Sequence, residues 1–276
     1  MKIVKRALLP GLAAAVVIVA LLGGAAYLFF RSRAPSSAAV VVDKTATAEA
    51  SELHAVAEQR VFFGHMSVGG NILSGLDDVY RASNVAPPAL VEIQPGTAPA
   101  LPAGGVLVHA LIGPNSQPLE KLANFDATLR AGLAEQVDVA AVKFCYVDIR
   151  WDSDVEELFS RYQGTLARLE ADYPEVRFVH MTVPLMTGPS GIRSGVKALV
   201  GRDDNAARER YNTMMRDAYG PDRLFDLAAL EATEPDGVIR QWELYAGYSS
   251  DGGHLNAEGA VHVAAGLVDF LAADRG

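Results

Sequence analysis

The sequence predicts an α/β domain in which helices cover both faces of a mainly parallel β-sheet. Apolar runs of strand length alternate with segments whose apolar residues recur at helical spacing, which is the order typical of such domains. The longest run, residues 137–149, is almost continuously apolar, as expected for a central strand covered on both faces. A chain of 276 residues with 50% hydrophobic residues can bury a sizeable core.

Five short apolar segments are predicted to be strands because turn-forming residues or helical patterns follow them. They are residues 60–67, 106–111, 137–149, 176–183 and 224–227. Helices are predicted over residues 68–82, from Pro118, over residues 155–169, around Tyr211 and from Ala257. Asn256 is the expected N-cap of the last helix. In sheets of this kind the ligand site lies beyond the carboxyl ends of the strands.

The N-terminus has the composition of a membrane anchor. Residues 7–30 contain no charge, and 24 helical residues span about 36 Å, enough to cross a hydrocarbon core of about 30 Å. We therefore expect residues 1–33 to be a cytoplasmic flank with an uncleaved transmembrane helix, and residues 34–50 to be a flexible linker. The folded domain is then residues 51–276, on the extracytoplasmic side of the membrane.

Charge and cysteine usage exclude several classes of function. The net charge is −9, and the first 33 residues contain five basic side chains and no acidic one, so the rest of the chain is strongly acidic. Such a surface repels phosphate backbones, and we expect no nucleic-acid partner. The single cysteine, Cys145, excludes an intrachain disulfide and is predicted to be a small buried hydrophobe. The six histidines show no metal-ligand spacing, so neither a metal nor another cofactor is expected.

Two loops at the predicted carboxyl edge of the sheet carry complementary chemistry. Ser67 lies between a strand end and a helix start, where unpaired N–H groups can bind an oxyanion. Asp251 precedes His254 by three residues, and two glycines between them allow a tight bend. An aspartate that accepts the imidazole Nδ1–H leaves Nε2 free as a base for a serine hydroxyl. The alternatives are structural roles, in which Ser67 only caps the helix and Asp251 only forms a turn.

These residues resemble the motifs of the SGNH, or GDSL-type, hydrolase superfamily. Asp251-Gly-Gly-His254, just before the final helix, is similar to its last block, and Gly64-His65-Met66-Ser67 stands where the family has Gly-Asp-Ser. Gly113 matches the glycine of the second block. The third block, Gly-x-Asn-Asp, corresponds to residues 144–148, which contain no asparagine. The resemblance implies a three-layer α/β/α sandwich with a flavodoxin-like, five-stranded sheet.

The resemblance also implies a serine esterase, of acetylesterase type, that works through an acyl-serine intermediate. The implied catalytic residues are Ser67, His254 and Asp251, and the implied oxyanion donors are the N–H groups of Ser67 and Gly113, with Asn115 or Asn71 as the amide donor. The expected substrate is a small-molecule or glycan ester, met by a domain that residues 7–30 tether to the membrane. A non-catalytic carbohydrate- or envelope-binding module on a degraded site is the alternative, and a phosphoesterase is a third hypothesis.

Further residues near these loops are candidate substrate contacts. They are His65, Asn71, Tyr146 and Asp148. Two of them have structural alternatives, because His65 can bond to the backbone and Asp148 can form a local ion pair with Arg150. The glycine-rich residues 187–201 are predicted to be a mobile flap over the strand ends.

Overall fold

A computed structural model describes residues 48–188, 202–239 and 241–273. The elements below all belong to one compact unit. No helix in these three ranges combines the length and the hydropathy that a membrane crossing requires. The predicted anchor, residues 7–30, and residues 189–201 of the predicted flap lie outside the described residues.

Helices and strands alternate along the described chain, as predicted. The strands are β1 (Arg60–His65), β2 (Ala89–Ile93), β3 (Val106–Leu111), β4 (Val139–Val142), β5 (Arg177–Met181) and β6 (Leu224–Phe225). The α-helices are α1 (Ala50–Ala57), α2 (Val68–Ala82), α3 (Pro118–Thr128), α4 (Val155–Asp172), α5 (Asp204–Ala218), α6 (Leu227–Ala232) and α7 (Ala257–Ala272). Asn256 caps α7 by accepting the Gly259 N–H at 3.0 Å, which confirms the predicted N-cap.

The sheet has six strands in the order β2-β3-β1-β4-β5-β6, and every neighbouring pair is parallel. The prediction of five strands was wrong, because it omitted β2. This edge strand is mostly exposed and buries only Ile93, and its sequence, Ala-Leu-Val-Glu-Ile, is a short apolar segment interrupted by Glu92. Without β2, the remaining order is the flavodoxin-like order that was predicted.

Two apolar layers of side chains cover the two faces of the sheet. Helices α1, α2, α6 and α7 pack against one face, and α3, α4 and α5 pack against the other. Strand β1 serves both layers, because Phe63 belongs to the first and Phe62 to the second. Alternation of side chains across a strand explains why neighbouring residues of β1 are both apolar. The three-layer α/β/α architecture is confirmed.

The long apolar run at residues 137–149 forms a shorter strand than predicted. Strand β4 ends at Val142, and the chain then turns through one turn of 3₁₀ helix at Tyr146–Asp148. The turn closes because Asp148 accepts the Cys145 N–H at 2.6 Å. Cys145 itself is buried, as predicted. The apolar character of the run therefore comes from burial and extends beyond the strand.

Helices α2 and α7 lie side by side and approach each other very closely. A Cβ atom added to Gly75 in α2 would lie 2.2 Å from the carbonyl oxygen of Ala260 in α7. Only glycine therefore permits this spacing between the two backbones. Ser67 immediately precedes α2, and the loop that contains His254 leads into α7. This helix pair consequently positions the two predicted reactive side chains.

Candidate active site

Ser67 occupies the sharp turn between β1 and α2 in an unusual backbone conformation. Its φ is +52° and its ψ is −111°, a combination that costs a non-glycine residue energy. The hydroxyl group makes no capping hydrogen bond to the helix that it precedes. The interpretation of Ser67 as a simple N-cap is therefore wrong. The turn instead directs the hydroxyl toward another part of the chain.

The Ser67 hydroxyl meets the imidazole of His254. The Oγ atom lies 2.6 Å from Nε2, although the two residues are 187 positions apart in the sequence. On the other side of the ring, Nδ1 lies 2.7 Å from Oδ2 of Asp251. A carboxylate accepts hydrogen bonds, so Nδ1 carries the proton and Nε2 accepts one from the serine. The three predicted catalytic residues thus form one continuous hydrogen-bonded chain.

Asp251 both shapes the turn and orients the imidazole, so its two predicted roles coexist. Its Oδ1 atom accepts the N–H groups of His254 at 2.8 Å and Gly253 at 2.9 Å. These two bonds, followed by the bond from the His254 ring, hold the pKa of the carboxyl group well below its usual range. Asp251 therefore stays ionised. Ser249 braces the same turn by donating its hydroxyl to the His254 carbonyl at 2.6 Å.

The predicted oxyanion donors are the backbone N–H groups of Ser67 and Gly113 and a side-chain amide, for which Asn115 was one candidate. The Ile112 N–H donates to the His65 carbonyl at 3.2 Å, so Gly113 follows β3 at the edge where Ser67 follows β1. Within the described ranges, the N–H groups of Ser67 and Gly113 donate to no protein acceptor. The exposed Asn115 instead accepts a long contact from Lys121 Nζ at 3.5 Å. Among the described residues, its side chain forms no hydrogen bond with Ser67 or His254.

Tyr146 and Asn71 were both predicted to contact the substrate. Tyr146 packs against His254, and Asn71 follows Ser67 closely in the sequence. The ring of Tyr146 meets the ring of His254 edge to face, with centroids 5.7 Å apart. Burial, followed by the negative charge of Asp251, raises the pKa of the Tyr146 hydroxyl. Asn71 lies in the first turn of α2, where its Oδ1 atom is buried and has no partner among the described residues.

His65 has no surface that a substrate could contact. The side chain is 2% exposed, stacks on Phe63 and places Nε2 3.2 Å from Nδ1 of His109. Burial, followed by the nearby Lys143 and His109, lowers the pKa of His65 to about 3, so the ring is neutral. The structure thus favours a structural role for His65, but the partner of its ring is the side chain of His109 and not the backbone that was predicted.

Asp148 forms a buried ion pair, but with a different partner from the predicted one. Its Oδ2 atom lies 2.6 Å from Nζ of Lys121, and neither side chain is exposed. Arg150 instead faces Asp152 at 4.0 Å. The predicted pair with Arg150 was therefore wrong, and the buried side chain of Asp148 also argues against its assignment as a substrate contact. Lys121 gave no signal in the sequence, since a lysine in an amphipathic helix is ordinarily exposed.

Asp148 also connects two loops at the carboxyl edge of the sheet. Its Oδ1 atom accepts the Ser116 N–H at 2.8 Å, and Ser116 belongs to the loop after β3. Its Oδ2 atom accepts the Cys145 N–H of the loop after β4. Arg208, on α5, adds a bond from Nε to the Tyr146 carbonyl at 2.7 Å. Sequence reasoning missed both Lys121 and Arg208.

Comparison with known proteins identifies similar structures only. No protein-family model and no curated protein sequence matches the chain significantly. A protein from Streptococcus pneumonia that is proposed to be a platelet activating factor shares 18% identity at a TM-score of 0.47, over 94% of this chain and 98% of that one. An acetyl xylan esterase, AlAXEase, shares 16% identity at a TM-score of 0.43, over 75% and 97%.

A third structure is a catalytic mutant of the acetylxylan esterase Axe2 from Geobacillus stearothermophilus. It shares 14% identity at a TM-score of 0.42, over 78% of this chain and 94% of that one. All three TM-scores lie below 0.5. The function proposed below therefore rests on the geometry of the site.

Proposed function

We propose that the protein is a serine hydrolase that cleaves carboxylic esters through an acyl-serine intermediate. The observation that carries this proposal is the hydrogen-bonded chain from Ser67 Oγ to His254 Nε2 at 2.6 Å and from His254 Nδ1 to Asp251 at 2.7 Å. A serine hydroxyl is a weak nucleophile at neutral pH, and an adjacent base oriented by a third group activates it. Because this series of hydrogen bonds is intact, it supports a catalytic function over the alternative of a non-catalytic binding module with a degraded site.

In the first half of the reaction, Ser67 Oγ attacks the ester carbonyl carbon while His254 Nε2 takes the hydroxyl proton. The carbonyl π electrons move to its oxygen, which becomes an oxyanion. When the carbonyl re-forms, the bond to the alkoxy group breaks, and His254 gives its proton to the leaving alkoxide. The products are an alcohol and an acyl group on Ser67. Asp251 stabilises the imidazolium that exists between these steps.

In the second half, water replaces Ser67 as the nucleophile. His254 Nε2 takes a proton from the water molecule, whose oxygen attacks the acyl carbon. Collapse of the second tetrahedral intermediate breaks the bond to Ser67 Oγ, which recovers its proton from His254. The N–H groups of Ser67 and Gly113 are the backbone donors that we assign to the oxyanion in both halves.

The open position of the site supports substrates whose acyl group projects from a larger molecule. The side chain of His254 is 44% exposed and that of Asp251 is 58% exposed, so the described residues leave the base open to solvent. A short acyl group on a glycan meets such a surface without entering a deep pocket. We also retain the proposal that residues 7–30 tether the domain to a membrane, which would place it beside envelope glycans.

Covalent labelling tests the proposal directly. We expect a fluorophosphonate to label the full-length protein in detergent at Ser67, and the protein to release p-nitrophenolate from p-nitrophenyl acetate. Ser67→Ala should abolish both signals, because the nucleophile is lost. Ser74→Ala is the matched control, since this exposed serine also lies on α2 but belongs to none of the proposed catalytic groups. Equal labelling and equal release from Ser67→Ala and wild type would refute the proposal.

A further inference from the structure

We propose that the hydroxyl group of Tyr146 is the side-chain donor that stabilises the oxyanion. The inference rests on the function proposed above and assigns the donor that the missing asparagine of the third sequence block left open. Tyr146 follows β4 at the carboxyl edge of the sheet, in the segment that corresponds to that block. No covalent step is added, because the hydroxyl donates a hydrogen bond and keeps its proton.

The contacts of Tyr146 place its ring beside the reacting groups. The ring packs edge to face against His254, the proposed base, whose Nε2 atom lies 2.6 Å from Ser67 Oγ. In the tetrahedral intermediate, the oxyanion and Ser67 Oγ are bonded to the same carbon atom. A hydroxyl on the ring that packs against the base therefore needs only a small movement to reach the oxyanion.

The catalytic loop leaves room for this approach only because residue 253 is a glycine. A Cβ atom added to Gly253 would lie 2.8 Å from Cζ of Tyr146 and 3.0 Å from its hydroxyl oxygen. Any other residue would push the phenol away from the loop that carries His254. The second glycine of the Asp251–His254 segment thus serves the tyrosine, a role that the sequence pattern did not reveal.

Arg208 contacts both the backbone and the ring of Tyr146. Its Nε atom donates to the Tyr146 carbonyl at 2.7 Å, and its guanidinium carbon lies 5.8 Å from the centre of the ring. Arg208 is itself 2% exposed, so it is a fixed support. A donor that is already in place stabilises developing charge without the cost of reorganisation. Arg208 is accordingly a positioning residue.

The environment also keeps the phenol protonated, as a donor requires. Burial, followed by the negative charge of Asp251, raises the pKa of Tyr146 above its ordinary value. Arg208 acts in the opposite direction but does not reverse the shift. The hydroxyl therefore carries its proton throughout the neutral range.

The test is Tyr146→Phe in the full-length protein, assayed with p-nitrophenyl acetate. We expect kcat to fall about 100-fold, the scale on which loss of one oxyanion donor acts, while KM changes less than about threefold. The phenylalanine keeps the ring and its packing, so the melting temperature should not change. Tyr173→Phe is the control, because Tyr173 follows the C-terminus of α4, outside the site. A fall in kcat smaller than about tenfold would overturn the inference.

A second measurement separates charge stabilisation from a structural effect. A boronic acid forms a tetrahedral adduct with a serine nucleophile, so its inhibition constant reports on the oxyanion donors. Tyr146→Phe should weaken phenylboronic acid by a factor similar to the loss in kcat/KM, and unchanged inhibition would count against Tyr146. Ser67→Ala separates the two proposals. If it retains activity, the proposed function fails, whereas its inactivity beside a fully active Tyr146→Phe refutes only the role of Tyr146.

Discussion

Ser67 illustrates how a single residue is held in a costly conformation by its surroundings. A positive φ at a non-glycine residue costs about 1 to 3 kcal/mol, and such strain persists only where the rest of the fold enforces it. Here the strain carries the hydroxyl away from the helix N-terminus and toward His254 at 2.6 Å. The lost capping bond and the strained backbone are therefore both explained by the position of the imidazole.

The buried pair of Lys121 and Asp148 gives the first prediction at the scale of residues. Lys121→Met leaves the Asp148 carboxylate buried without its cation, and we expect the free energy of unfolding to fall by about 3 to 5 kcal/mol. Urea denaturation measures this loss. The double variant Lys121→Met/Asp148→Asn should be more stable than the single variant, because the amide carries no charge and its one oxygen can still accept the N–H of either Ser116 or Cys145. Equal stability of both variants would contradict this account.

At the scale of elements, the contact between α2 and α7 sets the distance between nucleophile and base. Each helix follows one of the two reactive loops, and the helices touch at Gly75 and Ala260. A shift of one helix against the other therefore moves Ser67 relative to His254. Packing far from the chemistry can lower turnover in this way, because a displacement of 1 Å costs about 100-fold.

Gly75→Ala tests this dependence. The added Cβ would lie 2.2 Å from the Ala260 carbonyl oxygen, so the helices must separate. We expect a loss of about 1 to 3 kcal/mol in unfolding free energy and a fall in kcat of at least tenfold. Gly70→Ala on the same helix is the matched control for stability, since its Cβ would meet no atom within 4 Å. Wild-type stability and turnover in Gly75→Ala would show that the contact does not position the site.

At the scale of the whole molecule, buried histidines make folding sensitive to acid. His180 in β5 is fully buried, and burial, followed by the charge of Arg223, lowers its pKa to about 3. Tyr162 bonds to Nδ1 at 2.9 Å and Arg223 to Nε2 at 3.1 Å, Glu170 lies 3.3 Å from Nε2, and Tyr219 stacks on the ring. Arginine only donates, so Nε2 accepts and Nδ1 carries the single proton of a neutral ring.

The sign of the pH effect follows from this lowered pKa. Below about pH 6.5 the unfolded chain binds a proton at His180 that the folded chain does not bind until about pH 3, so acid favours unfolding. Carboxyl groups with raised pKa values act in the opposite direction, since burial raises the pKa of Glu231 to about 8 and that of Glu209 to about 7. The carboxyl groups titrate in a His180 variant as they do in the wild type. The difference in stability between the two proteins therefore reports the contribution of the histidine.

We therefore predict that His180→Gln changes the pH dependence of stability. Glutamine can accept from Arg223 and donate to Tyr162, but it does not titrate. Between pH 7 and pH 4.5, the stability of the variant should rise relative to wild type by about 2 to 3 kcal/mol, whatever its stability at pH 7. Thermal or urea unfolding at both pH values measures the difference. A difference between variant and wild type that is constant with pH would contradict the prediction.

Local patterns in the chain were sufficient for much of the fold and for three residues of the site. The helices were located by the spacing of their apolar residues, by Pro118 in the first turn of α3 and by Asn256 at the N-cap of α7. These signals depend only on neighbours within a few residues. Strand β2 escaped prediction because it is a short edge strand of five residues, whose apolar segment is interrupted by Glu92. The aspartate three positions before His254 indicated the orienting contact, since that contact is also local.

The contacts that complete the site join residues that are far apart in the chain. Ser67 and His254 are 187 positions apart in the sequence, and Tyr146 and Arg208 are 62 positions apart. Each pair comes into contact only when the sheet forms and α2 packs on α7. The burial of Lys121 with Asp148 likewise depends on two loops meeting at the sheet edge. Local patterns reflect the conformational propensity of the residues and the periodicity of the apolar ones. Distances between side chains that are remote in the sequence depend on packing, which is a property of the folded chain.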